Sequence, residues 1–252
     1  MAWALRFQGV GSASAVALGS PMATIERDGA PWLAIDCGGE GLTAYLDHYG
    51  APPPAMFITH VHLDHVAGFE RLFVANYFDS ARRGRMPLYV PVDVLPLLHR
   101  RVAAYPNVLA EGGANFWDAF RVVPVEGAFW HDGLRLEVFE SRHHWPRTAF
   151  GLRLRGSLAW TGDTRPIPEA LAAYADAGEL IAHDCGLEGN PSHSGIDDLE
   201  REYAPELLAR CVLYHYASEA DGQALRARGH RVARPGEVFA LPGPVPHPAL
   251  VG

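Results

Sequence analysis

The sequence runs to 252 residues, 48% hydrophobic and 20% charged, with 29 acidic residues against 21 basic ones and a formal net charge of −8. These proportions describe a globular chain able to bury a sizeable core, and the acidic balance argues against a general affinity for nucleic-acid phosphates. Every basic residue is an arginine, which excludes Schiff-base chemistry and a lysine-dependent phosphate loop.

In chain order, the opening MAWALRFQGVGSASAVALGS lacks a basic stretch ahead of an uninterrupted apolar run, and no segment reaches the ~18 apolar residues of a membrane span. A cytoplasmic protein off the membrane is expected. WALRFQGV, MATIER, PWLAID and AMFIT are short apolar runs punctuated by glycine and proline, and predict strands. From Val66 the pattern turns helical, and residues 93–105 predict a helix that tolerates Pro96 in its first turn. Strand patterns return at AFRVVPV, LRLEVFE, AFGLRL and SLAW, followed by a helix from Pro168 to about Ala177 and a buried strand over 178–184. A helix from Asp197 to Ala209, the strand CVLYH and a helix opened by the capping pattern SEAD at 218–221 complete the order. The proline-rich end from about residue 241, which includes a solvated His247, reads as a surface tail. Residues 1–252 therefore read as a single α/β domain with helices outside sheet layers. Cys37, Cys185 and Cys211 have no CxxC spacing and are expected to be free, buried thiols.

The segment AMFITHVHLDHVAG, residues 55–68, concentrates the chemistry by placing His60, His62, Asp64 and His65 within six positions after an apolar strand. Imidazoles and carboxylates crowded beside apolar residues need a partner that satisfies several of them together, and a metal ion is such a partner. In extended chain His60 and His62 point the same way, while Asp64 and His65 follow at the turn into a helix. The pair of imidazoles suits one ion, and the carboxylate with its imidazole suits a second. Further ligands are expected just past later strands: His143 or His144, Asp163, and His215. With Asp163 bridging through its two oxygens, two divalent ions are accommodated; the His and Asp donors favour zinc, with manganese or iron as substitutes.

With the HxHxDH string at His60–His65, the chain resembles the metallo-β-lactamase superfamily. The likeness extends through FQGVGSAS, AIDCGGEG at 34–41, RHHWPRTAFGLRL at 142–154, WTGDT at 160–164 and YHYAS at 214–218. It implies a four-layer αββα sandwich with the metals at one edge of two sheets. Within the superfamily it is most similar to the branch of ribonuclease Z and the cyclic phosphodiesterase of phosphonate breakdown, on the DCG turn, Phe150–Gly151, GDT and NPSHSG at 190–195. His193 in that last segment matches a branch histidine that assists the chemistry. The loop between His143 and Gly151 is longer than the branch usually has; it leaves His143 and His144 as alternatives, with His143 favoured because it follows the strand directly. No projecting basic, glycine-rich arm lies between Val66 and Arg142, and RRGR at 82–85 reads as a turn, so a tRNA substrate is disfavoured.

The expected activity is that of a binuclear hydrolase, foremost a phosphodiesterase on a small-molecule or nucleotide diester. Two ions ~3.5–4 Å apart would supply a bridging hydroxide near neutral pH, with Asp64 and Asp163 orienting it and His193 acting as general acid or oxyanion donor. Asp184 is placed to hold a ligand imidazole by a hydrogen bond, and His183 to end a buried strand. Trp117, Trp130 and Trp145 are either walls of the site or ordinary packing. Alternatives on the same site are a thioesterase or lactonase, a di-iron oxidoreductase, and a metal-stabilised module binding nucleic acid or protein. A homodimer is compatible with the sequence.

Overall fold

The computed structural model describes residues 1–104, 108–109 and 112–245. His247, most of the proline-rich end and the last residue of the helix predicted over 93–105 lie outside the described residues.

From the N-terminus, β1 (Trp3–Gly9), β2 (Met22–Arg27) and β3 (Ala30–Ile35) form an antiparallel meander, α1 (Gly39–Tyr49) crosses back, and β4 (Met56–Phe57) joins in parallel. Helices α2 (Leu63–Val66) and α3 (Phe69–Tyr77) lead to β5 (Met86–Pro91) and α4 (Leu95–Leu98). Past a ribbon of β6 (Val108–Leu109) and β7 (Gly112–Gly113), β8 (Phe120–Val125) closes the first sheet. The second half supplies β9 (Ala128–His131), β10 (Leu134–Glu140), β11 (Phe150–Leu154), β12 (Leu158–Trp160), α5 (Pro168–Tyr174) and β13 (Leu180–Asp184). It ends with α6 (Ile196–Glu202), α7 (Pro205–Leu208), β14 (Cys211–Tyr214), α8 (Glu219–Ala227) and β15 (Val238–Leu241). One sheet has the order β15-β1-β2-β3-β4-β5-β8 and the other β14-β13-β12-β11-β10-β9.

Apolar side chains of the two sheets meet face to face and form the core. Phe7 of β1 packs on Trp160 of β12 and Tyr214 of β14, with ring centroids 5.7 and 6.0 Å apart, and Phe129 of β9 stacks on Tyr89 of β5 at 4.1 Å. Helices α1 and α3 pack on the first sheet and α5 on the second, so the architecture is the expected αββα sandwich. All three cysteines are buried and free. No helix among the described residues is long and apolar enough to cross a membrane.

Several elements depart from the periodicity reading. The helix predicted over 197–209 is broken after Glu202, because Ala204 stands before Pro205 and takes an extended conformation with ψ 145°. Over 93–105, α4 spans only Leu95–Leu98 before a π-helical turn, His99–Ala103. The helix expected to about Ala177 stops at Tyr174. Strand β5 was hidden by the two prolines in MPLYVP; β4 pairs only with Leu88 and Tyr89, so neither proline interrupts that short ladder. Helix α1, opening on GEG, and the strands β9 and β15 were likewise not foreseen.

Candidate metal centre

The site lies where strands end. Strands β12, β13 and β14 run parallel, and the registers Trp160↔Ala182 and Asp184↔Tyr214 bring Asp163, Asp184 and His215 to one sheet edge. From the facing sheet, β3 delivers Asp36 and β4 delivers the His60–His65 segment. The DCG turn is clamped onto that segment: the Cys37 amide donates to the His65 carbonyl at 2.7 Å, and the Gly68 amide to the Cys37 carbonyl at 2.8 Å. Gly38 is required here because a Cβ would collide with the Asp64 carbonyl oxygen and Ser20 Oγ. Asp36 and His215 both hold the left-handed conformation, at φ 65° and 72°, a strain that surrounding contacts must hold in place.

Around Asp163 the donors fall into two groups. On one side His60 Nε2 and His143 Nε2 stand 3.6 and 3.8 Å from Asp163 Oδ2, and His143 Nε2 is 3.1 Å from His62 Nδ1. On the other, His65 Nε2 is 3.3 Å from Asp163 Oδ1 and 3.6 Å from Asp64 Oδ2, while His215 Nε2 is 3.4 Å from Asp64 Oδ2 and 3.3 Å from Asp163 Oδ2. Ligand atoms ~2.1 Å from a tetrahedral ion are ~3.4 Å from one another, so these spacings are those of coordination edges. His60 Nε2, His65 Nε2 and both Asp163 oxygens are buried without a hydrogen-bond partner; the 3.3 Å approach of His65 to Asp163 is within charge-pair reach but not aligned as a hydrogen bond. Orphaned buried atoms of this kind are costly unless something else satisfies them, and the donor set fits a divalent metal.

Hydrogen bonds behind the donors decide which nitrogen each imidazole presents. His65 Nδ1 donates to Asp36 Oδ2 at 2.8 Å and His143 Nδ1 to the Ser192 carbonyl at 3.0 Å. Thr59 Oγ1 donates to Asp36 and accepts from His60 Nδ1 at 3.0 Å. Each ring therefore turns its Nε2 inward. On the other wall Asp184 Oδ2 accepts from His193 Nδ1 and from the Thr164 amide, both at 2.8 Å, and Asp184 Oδ1 lies 3.4 Å from His215 Nδ1. Although Asp184, His193, His215 and Asp163 form a third group of possible donors, the hydrogen bonds onto Asp184 make it an orienting carboxylate.

The electrostatics follow from burial and crowding. Burial would raise the Asp163 carboxyl, but His215, His65 and His60 hold it well below the ordinary range. Burial would lower His215, yet Asp163 and Asp184 push it up to about 10; His65 rises in the same way between Asp163 and Asp36. Burial, reinforced by His65, keeps His60 well below its usual value, and burial against a weaker pull from Asp163 lowers His143 to about 4. The acids thus draw positive charge into the site, a role a divalent cation fills directly.

The structure brings His60, His62, Asp64, His65, His143, Asp163 and His215 together, with His193 at their side. His143 belongs to the first donor group; His144, more exposed, lies outside it, with Nε2 3.0 Å from the far nitrogen of His62 and Nδ1 3.3 Å from Ser192 Oγ. His183 turns away to Tyr203 Oη at 2.6 Å. Trp145 lines a cleft beside the donors, whereas Trp117 packs against His99 and Trp130 lies exposed on β9. Asp36 and Thr59 were not singled out from sequence; the acid directly after a strand in AIDCGGEG is the signal that marks Asp36. Two clefts open onto the donors, of about 850 and 580 Å³, and His62 and Arg101 line both.

Fold and site together define a metallo-β-lactamase-fold protein with a His/Asp metal site. The profile of the family described as anti-Pycsar protein Apyc1 matches residues 3–239, and the chain belongs to that family. It is 29% identical over 232 residues to an anti-Pycsar protein Apyc1 of Paenibacillus xerothermodurans, covering 88% of this chain and 90% of that one. It is 26% identical to a ribonuclease Z of Mycobacterium sp. (strain KMS), covering 81% of this chain and 73% of the relative. Among solved structures, a diphosphatase from the PhnP family superposes with a TM-score of 0.74 at 16% identity, over 94% of this chain and 97% of that one.

Proposed function

We propose that the chain is a metal-dependent phosphodiesterase that opens cyclic nucleotides, with two divalent ions, foremost zinc, shared across Asp163. The observation that carries this reading is the buried, unpartnered Asp163 carboxylate between His60, His62 and His143 on one side and Asp64, His65 and His215 on the other. The substrate class follows the family, which degrades cyclic nucleotides.

Bound there, the ions would lower the pKa of a water toward ~7 and neutralise charge on the phosphate. Asp64, beside His215 at the floor of the larger cleft, accepts a hydrogen bond from the attacking water and orients it. His193 opens onto the same cleft. Burial would lower its pKa, but the bond to Asp184 raises it above the usual imidazole value, the direction that suits a proton donor. As the water oxygen, having given up one proton to solvent, bonds to phosphorus and a P–O ester bond breaks, His193 protonates the departing oxygen and leaves a nucleoside monophosphate.

Elemental analysis combined with hydrolysis of cyclic nucleotides and bis(p-nitrophenyl) phosphate tests the reading. Asp163→Ala is expected to lose at least half the bound metal and nearly all turnover. His193→Ala should keep its metal and lose roughly 10²- to 10⁴-fold in kcat. Full turnover by the His193 variant would remove its assigned role, and turnover of a thioester or lactone with no diester cleaved would replace the phosphodiesterase reading.

A further inference from the structure

The two clefts differ in chemistry. The larger carries hydroxyl, amide and carboxylate groups, Ser12, Ser14, Asn190 and Asp221 among them, together with His193. In the smaller, Leu97, Thr148 and Trp145 face His62, His143 and His144. Trp145 is 82% exposed, yet the loop presenting it is tied down. The Thr148 hydroxyl donates to the Trp145 carbonyl at 2.6 Å, the Arg147 amide to Glu140 at 2.6 Å, and Arg147 Nε to Asp93 at 2.8 Å. An indole left in water on an anchored loop beside the donors contributes nothing to the core; it is a ready stacking face. Arg101 is the arginine common to both clefts, and among the described residues no carboxylate pairs with it, its Nε donating only to the Val61 carbonyl at 3.2 Å.

We infer that Trp145 is the nucleobase platform of this enzyme and that Arg101, at the junction of the clefts, contacts the phosphate of the same substrate. The inference rests on the cyclic-nucleotide reading above and adds the residues that select a substrate carrying a base. His62 and Arg101 line both clefts, so a substrate whose phosphate sits at the donors has the smaller cleft, walled by Trp145 and Leu97, open to its base. Because every base has a π-face, such a platform admits purines and pyrimidines alike.

The test uses the metal-loaded full chain. Calorimetry measures binding of a non-hydrolysable cyclic cytidine phosphorothioate, and kinetics give the ratio of kcat/KM for cyclic cytidine monophosphate over a ribose 3′,5′-cyclic phosphate bearing hydrogen in place of the base. Trp145→Ala is expected to weaken analogue binding about tenfold and to lower the ratio by a similar factor, while Trp145→Phe keeps most of both. Unchanged affinity in the alanine variant, or an unchanged ratio, overturns the platform. If the wild type cleaves both substrates equally well, only the platform falls. If it cleaves neither, the cyclic-nucleotide reading fails and the platform goes with it.

Discussion

Asp36 shows how much of the site is held by a residue with no place in the HxHxDH string. Its carboxylate takes the His65 ring directly and the His60 ring through Thr59, so one side chain sets the tautomer of a donor in each group. Asp36→Ala is expected to lower metal affinity roughly 10- to 100-fold, measured by competition with a chromophoric chelator. Asp36→Asn, which keeps an acceptor oxygen, should lose less. The string itself was legible because its four donors fall within six positions and any fold of that segment keeps them close. Asp36 lies 29 residues from His65, and nothing local in the sequence states that they touch. The choice between His143 and His144 was open for the same reason: adjacent residues differ in direction, and direction is set by what packs behind them.

At the scale of elements, local chemistry was read well where the signal is local. The SEAD pattern predicts a helix start, and Ser218 Oγ accepts from the Asp221 amide at 3.1 Å at the head of α8. Ser218→Ala is expected to cost about 1 kcal/mol, read as a lowered urea midpoint without a change in slope. The break between α6 and α7 and the strand β5 were missed because prolines act there through position: Pro205 forces an extended residue before it, whereas the prolines of β5 fall where no β4 ladder bond is needed. Periodicity weighs residue type and does not see the neighbouring strand.

Across the whole molecule, the second sheet is pinned by a buried ion pair. Arg153 of β11 donates to Glu179 through Nε at 2.8 Å and Nη2 at 2.6 Å, and the Gly156 and Ala177 amides donate to the same carboxylate, each at 2.9 Å. Burial would raise the Glu179 pKa, but the Gly156 amide and Arg153 hold it below its ordinary 4.5. Because the folded value lies below the unfolded one, the stabilisation is complete above pH 4.5 and drains away as pH falls through the folded value. Glu179→Gln is expected to cost about 3 kcal/mol at pH 7, the lower end for a broken buried pair because Glu137 and Asp176 still engage Arg153. Its difference from wild type in urea titrations should shrink as pH drops below that range. A gap independent of pH would mean that Glu179 acts through packing alone. Chelation tests the other end of the molecule: with metal at ~1,000 times its Kd, stripping it removes ~4 kcal/mol and should lower the melting midpoint by roughly 10 °C.

By itself the sequence determined the chemical type of the site, since the His60–His65 string, Asp163 and His215 carry a metal-binding composition wherever they lie, and the order of most strands, since alternation and turn residues are local. Tertiary structure decided which atoms meet. The parallel registers of β12, β13 and β14 gather Asp163, Asp184 and His215, the sandwich brings Asp36 behind His65, and the anchored loop after β10 turns His143 inward while leaving Trp145 in the cleft. These are contacts across dozens of residues, fixed by packing and hydrogen-bond satisfaction in three dimensions, and no short-range pattern encodes them.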